Sequence, residues 1–151
     1  AQGGDEKKYQ LPRAKVDGAP LDFSFSGLKT AALNLIHNAE QKKEPLDLPS
    51  FAASFSRAVA DELVPRAMEA AEQCGRTKIA AAGGVAANSK IRAELERACQ
   101  VSGKQLYLPK LSLCGDNGAM IGCQAYYEYL AGRRGDWSLN GYANREIDLD
   151  A

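Results

Sequence analysis

The residues best placed to do chemistry are a glycine pair, Gly83 and Gly84, with Asn88 one turn further on, in the run Lys78-Ile79-Ala80-Ala81-Ala82-Gly83-Gly84-Val85-Ala86-Ala87-Asn88. Glycine has no Cβ and reaches φ values closed to other residues, so a ligand can come close to its amide. A helix that restarts after such a turn leaves its first N–H groups unpaired and exposes the positive end of its dipole, which suits a phosphate or a sugar edge. Asn88 stands where a cap belongs. Its side chain can cap the helix from Ser89 onward, or turn into a cleft and hydrogen-bond a nucleotide. Short glycine motifs also occur in plain strand-turn-helix geometry, so this run alone leaves both readings open.

A second group lies at Leu113-Cys114-Gly115-Asp116-Asn117-Gly118-Ala119-Met120, where a loop enters a helix. Asp116 is an apt N-cap. As a carboxylate on a strand-end loop it could instead ligate a divalent cation through oxygen, although no partner ligands with recognisable spacing accompany it. Ser24, Ser26, Gly27, Lys29 and Thr30 gather small hydroxyls around a glycine and a lysine, a mix that could touch phosphate or make a hydroxyl-capped turn with Lys29 solvated. His37 is the single histidine, and a lone histidine near a helix end is ordinarily solvated or cap-forming. Arg133, Arg134, Trp137 and Tyr142, after Gly132, are either a surface tail or a patch for stacking on RNA.

The elements that must position these groups follow from periodicity. Residues 1–20, with Gly3, Gly4, Pro12, Gly18 and Pro20 among charges, read as an irregular lead-in rather than a packed element. Alternation over residues 21–26 predicts a half-buried strand, and Leu28, Ala31, Ala32, Leu35 and Ile36 predict a helix over 28–38. A charged connection over 39–47 leads to Asp47 and Pro49, which open the longest helix. Phe51, Phe55, Val59 and Leu63 stripe one face of it, beside Ala52, Ala67 and Ala71. Pro65 predicts a bend there, and Gly75 closes the helix. Beyond the glycine turn, Ile91, Leu95 and Ala98 line a helix ending near Gly103, and residues 105–108 form a short strand stopped by Pro109. A last helix follows Asp116, with Met120, Cys123, Tyr127 and Leu130 as its buried face and Gly118 and Gly122 allowing close approach of a neighbour. The order is strand, helix, long helix, strand, helix, strand, helix: an α/β layered domain with a small, mostly parallel sheet over 21–132, and a tail over 133–151. Ligands in such folds bind beyond the carboxyl ends of strands, so the Gly83 turn and the Asp116 loop are expected to open on the same edge.

Composition bounds the rest. The 151 residues suffice for one domain with a proper core, and 45% apolar with 25% charged residues is the balance of a soluble globular protein. Nothing resembles a signal peptide or a membrane span. Nineteen basic residues balance nineteen acidic ones, so any contact with nucleic acid must be local. The four cysteines, Cys74, Cys99, Cys114 and Cys123, lack Cys-x-x-Cys spacing and read as reduced thiols of a cytoplasmic protein. The start at Ala1, without methionine, leads us to expect a piece of something longer or a processed chain.

Three stretches in order, Leu21-Asp22-Phe23-Ser24-Phe25-Ser26-Gly27-Leu28-Lys29-Thr30, Ala82-Gly83-Gly84-Val85-Ala86-Ala87-Asn88 and Asp116-Asn117-Gly118-Ala119-Met120-Ile121, resemble the TsaD family. These are the tRNA threonylcarbamoyladenosine transferases, also known as Gcp or O-sialoglycoprotein endopeptidase. The resemblance covers essentially the whole chain and corresponds to the C-terminal part, a little under half, of a typical member. It implies an ASKHA-type fold, the actin, Hsp70 and sugar-kinase architecture, in which two ribonuclease H-like halves close over a nucleotide. It also implies transfer of threonylcarbamoyl from its adenylate to the exocyclic amine of the adenosine beside the anticodon. By resemblance Asn88 contacts the nucleotide, Gly83 and Gly84 form the adjoining wall, and Asp116 ligates a single iron or zinc that polarises the threonylcarbamoyl carbonyl. Lys29 receives no role. The family's His-x-x-x-His metal ligands lie in the other half, which His37 cannot replace, so the piece alone is expected to be inactive and metal-free. Implied partners of the intact enzyme are threonylcarbamoyl-AMP or ATP, tRNA, a TsaB-like paralogue, a TsaE-like ATPase and the synthase that makes the adenylate. The peptidase name finds no support, since there is neither a nucleophile with a base nor a His-Glu-x-x-His helix. Two other readings remain: a non-catalytic paralogue serving as a scaffold half, which has no need of Asp116 or the glycine turn, and an ASKHA phosphotransferase subdomain. The surface that the other half would bury is expected to be partly apolar and to favour self-association.

Overall fold

The computed structural model describes residues 3–13 and 16–141. They form two compact units, Ala1–Gly115 and Asp116–Ala151. In the first, helix α1 (Ser26–Lys42) is followed by the long helix α2 (Leu48–Gln73), strand β1 (Lys78–Ala80), a single 3-10 turn (Gly84–Ala87), helix α3 (Ser89–Val101) and strand β2 (Gln105–Tyr107). A second 3-10 turn, Leu111–Leu113, follows β2. The strands pair in parallel, with Ile79 opposite Leu106 and Ala80 opposite Tyr107, so their carboxyl ends lie side by side. A helix joining two parallel strands is the βαβ unit, and α3 supplies it here.

The core sits where α2 meets α3. Ala60 and Val64 from α2 pack with Ile91 and Leu95 from α3, and Val59, Leu63, Met68, Ala81, Ala98 and Leu106 close round them. Full burial of each Val, Ile or Leu side chain contributes about 1.5–3 kcal/mol. The predicted stripe of Phe51, Phe55, Val59 and Leu63 is only half-buried. The buried line runs one position on, through Ala60 and Val64, because small residues there let α3 come close on one side while the lead-in covers another. Helix α2 continues unbroken through Pro65, which stands exposed.

Local structure departs from expectation between residues 21 and 42. Residues 21–26 make no strand: β1 and β2 pair only with each other, and an alternating segment without a partner edge gains no ladder hydrogen bonds. Phe23 and Phe25 instead stack with centroids 6.4 Å apart, and the Arg66 guanidinium lies over the Phe23 ring. Helix α1 starts at Ser26, two residues before the expected position, and runs to Lys42, where Lys43 ends it in the left-handed region at φ 56°. Its N-cap is Phe25, without a side-chain cap; the Ser24 and Ser26 hydroxyls bond each other at 3.0 Å and Thr30 Oγ1 donates to the Ser26 carbonyl. Leu28 and Ala32 are its buried residues, as the periodicity requires.

The described residues of the lead-in form no helix or strand, yet they are packed. The Asp5 amide donates to Ser50 Oγ and the Tyr9 amide to Ser54 Oγ, both hydroxyls being buried on α2. Gly4 lies so close to Pro49 that a Cβ built on it would stand 2.1 Å from the Pro49 carbonyl oxygen. Tyr9 meets Phe51 edge-on at 5.8 Å, and Arg13 pairs with Asp61. Asp47 is the joint. It caps α2 through Ser50, accepts from Ser50 Oγ at 2.8 Å and pairs with Lys8 at 2.8 Å.

The second unit carries helix α4 (Gly118–Leu130). The face predicted to be buried is exposed: Met120, Tyr127 and Leu130 are 49%, 62% and 61% accessible, and α4 has no buried residue. Periodicity names the apolar side of a helix; burial needs a layer to cover it, and the described residues of the second unit supply none.

The Lys8 and Ser50 hydrogen bonds hold the Asp47 carboxyl down from its ordinary 3.8 to about 2. A carboxylate depressed in the folded state adds stability above its unfolded pKa and loses it as pH falls through the folded one. Docking of the lead-in is therefore expected to weaken between about pH 4 and pH 2, read from Tyr9 fluorescence or proteolysis near Lys8, and Asp47→Asn is expected to remove that pH dependence.

Candidate functional site

The Gly83 turn forms because β1 ends at Ala80 and the chain must reverse before α3 can pack back on α2. Gly83 takes φ 89° and ψ 170°, a region open essentially to glycine alone. Its carbonyl accepts from the Ala86 amide and that of Val85 from the Asn88 amide, each at 3.0 Å, closing the 3-10 turn. Ala86 is buried and pins the turn, while Val85 is 60% exposed. Open space lies where a Cβ on Gly83 or Gly84 would stand. The amides of Gly83, Gly84 and Val85 have no hydrogen-bond acceptor among the described residues.

Asn88 caps α3: its Oδ1 accepts from the amides of Lys90 at 2.9 Å and Ile91 at 3.3 Å. Capping commits Oδ1 and leaves Nδ2 as a donor with no partner among the described residues. The two readings of this residue are thus compatible, since the cap fixes the very amide that would face a ligand. A cavity of about 470 Å³ opens beside it, lined by Gly4, Glu6, Ser56, Asn88, Ser89 and Lys90. Lys90 is not free to serve an anion there. It pairs with Glu6 at 2.7 Å and Glu94 at 3.2 Å, and the hydrogen bond it donates to Glu6 is the foremost cause of its raised pKa.

One residue of this site escaped the sequence reading. Arg92 Nη1 donates to the Ala86 carbonyl at 2.8 Å, and Nη2 donates to the Pro109 carbonyl at 2.9 Å. Its Nη1 also lies 3.6 Å from Sγ of Cys114, which is buried. Helical side chains lean toward the helix N-terminus, so a residue at 92 reaches back over the turn before Ser89. The signal available was electrostatic: a cation in the first turns of a helix opposes the dipole and calls for a local reason.

Asp116 opens the second unit. Its side chain is exposed and has no hydrogen bond or ion pair among the described residues. It is not the cap. Asn117, in extended conformation, caps α4 with Oδ1 accepting from the Met120 amide at 2.9 Å; Asp116 stands one residue too early to reach that amide. No group of three or more His, Cys, Asp or Glu able to hold a metal occurs among the described residues. Asp116 offers one carboxylate where a metal site needs about four or more donors, so these residues do not by themselves fit a metal centre. His37 and Lys29 are both exposed. Arg134 lies over the Tyr129 ring at 4.5 Å and Trp137 is fully exposed, while Tyr142 lies outside the described residues. The four cysteines are free thiols, Cys99 and Cys114 buried, Cys74 and Cys123 exposed. No described helix is long and apolar enough to cross a membrane.

A βαβ unit with a glycine turn and a capping asparagine at the carboxyl edge of its sheet defines a small α/β domain whose open turn lies where ligands bind in folds of this class. The family model for tRNA N6-adenosine threonylcarbamoyltransferase, TsaD, matches residues 1–123. The chain is 43% identical over 144 residues to the tRNA N6-adenosine threonylcarbamoyltransferase of Clostridium botulinum (strain 657 / Type Ba4). It is 41% identical over 143 residues to the protein of that name from Staphylococcus carnosus (strain TM300), and 42% over 145 residues to that from Staphylococcus aureus (strain Newman). These matches take in 95–96% of this chain and 42% of each relative, so the chain spans well under half the length of the curated relatives. The chain belongs to the TsaD family.

The cap and the glycine conformation make separate stability predictions. Asn88→Ala is expected to destabilise by about 1 kcal/mol and Asn88→Ser by much less, since serine caps nearly as well. Gly83→Ala is expected to cost about 1–3 kcal/mol because alanine is strained at that φ and ψ. Denaturant midpoints measure all three.

Proposed function

We propose that the chain forms part of an enzyme that transfers threonylcarbamoyl from threonylcarbamoyl-AMP to the N6 amine of the adenosine next to the anticodon of tRNA, in the cytoplasm. The observation that carries this reading is the open Gly83 turn, whose amides have no acceptor among the described residues, with the Asn88 Nδ2 donor beside it, lying inside the stretch that matches the family. In this reading the amides of Gly83 and Gly84 line one wall of the nucleotide site, and Asn88 donates to the nucleotide from Nδ2 while Oδ1 keeps α3 capped. Fixed donors of this kind hold a phosphoryl group in place and stabilise it as it leaves, when the amine attacks the carbonyl carbon and the bond to phosphate breaks. The rest of the site, including the other wall of an ASKHA-type cleft, falls outside these residues, so the stretch alone is inactive.

Asp116 contributes one oxygen ligand to the iron or zinc of the intact enzyme, whose other ligands lie elsewhere. The partners of the intact enzyme are tRNA, a TsaB-like paralogue, a TsaE-like ATPase and the synthase supplying the adenylate.

Titration of ATP into the full-length protein tests the reading. Asn88→Ser, which keeps the cap and removes the amide donor, is expected to weaken binding by roughly tenfold, the worth of one hydrogen bond to a polar ligand. Unchanged affinity would remove Asn88 from the site. Elemental analysis of full-length Asp116→Ala is expected to find the metal lost, and full occupancy would remove Asp116 from the ligand set.

A further inference from the structure

Two loops leave the paired carboxyl ends of β1 and β2, and the Arg92 side chain joins them. Through Nη1 it holds the Ala86 carbonyl of the 83–88 turn, and through Nη2 the Pro109 carbonyl of the loop after β2. That loop is held a second time, since the Cys114 thiol lies 3.6 Å from Nη1 and donates to the Lys110 carbonyl. All of Arg92's acceptors are neutral, and no carboxylate pairs with it among the described residues. An arginine placed only for surface solubility would take none of these contacts; one placed for an ion pair would face an acid.

We propose that Arg92 is the positioning residue of this site: its guanidinium fixes the spacing between the 83–88 turn and the 109–114 loop. It thereby sets where the amides of Gly83 and Gly84 and Nδ2 of Asn88 meet the nucleotide. The proposal rests on the reading of that turn as a nucleotide wall. The planar fork is what the geometry requires. Two donors in one rigid plane can serve two carbonyls from different loops at once, whereas a lysine ammonium is a point charge on a flexible stem that keeps the charge and loses the fixed distance.

The test uses full-length protein and two substitutions, Arg92→Lys and Asn88→Ser. Calorimetric titration with ATP is expected to show Kd raised about tenfold or more in Arg92→Lys, with binding stoichiometry unchanged. A residue that merely supported the fold would lower the fraction of competent protein, and so the stoichiometry, while leaving Kd alone; that outcome overturns the proposal. If Asn88→Ser weakens binding and Arg92→Lys does not, the positioning role falls and the nucleotide wall stands. If neither variant weakens binding, the wall falls and the role with it.

Alkylation of Cys114, followed by peptide mass mapping without any nucleotide, reads the clamp itself. This thiol is 3% exposed in the native protein. Arg92→Lys is expected to speed its reaction with N-ethylmaleimide at least tenfold while the rate at Cys99 stays as it was. Equal rates at Cys114 in the two proteins would show that Arg92 does not hold the loop.

Discussion

One guanidinium spans the two loops that leave the carboxyl ends of β1 and β2. The sheet beneath is minimal, two strands of three residues each. So short a ladder fixes the strands but carries little authority over the turns beyond them. The bridge from Arg92 to the carbonyls of Ala86 and Pro109 extends the order of the sheet past its edge, where a ligand would sit. A cation near the start of α3 works against the helix dipole, and two charge-assisted hydrogen bonds to loop carbonyls offset that cost.

The same constraint governs the approach from the other side. The described residues of the lead-in have no helix or strand to hold them, so their backbone is tied to side chains of α2, Asp5 to Ser50 and Tyr9 to Ser54, with Lys8 on the capping Asp47. Gly4 makes this possible by having no Cβ to meet Pro49. The result brings Glu6 to Lys90 and closes one side of the cavity beside Asn88. The Lys90 charge at that cavity is thereby paired with carboxylates, while Asn88 Nδ2 keeps no partner among the described residues.

What the sequence disclosed follows the range of the forces involved. Asn88, Gly83 and Asp47 were legible because a cap and a left-handed turn are settled within three or four residues. The core helices were legible because 3.6-residue periodicity survives packing, although the buried line of α2 moved to Ala60 and Val64 once α3 and the lead-in both leaned on it. Residues 21–26 misled because alternation describes two faces and says nothing of a partner edge. Asp116 misled by one position, Asn117 alone having the reach to cap α4. The exposed face of α4 and the bridge from residue 92 to residue 109 are tertiary facts, and no local pattern carries them.

Membership of the TsaD family and the geometry of the turn meet in one proposal, that the amides of Gly83 and Gly84, which have no acceptor among the described residues, face the nucleotide. Amide-resolved hydrogen exchange on the full-length protein, with and without ATP, addresses it directly. Slowed exchange at those two amides in the presence of ATP, with the amides of α3 unchanged, is expected. Equal exchange there under saturating ATP would contradict it and would leave the turn a purely structural device.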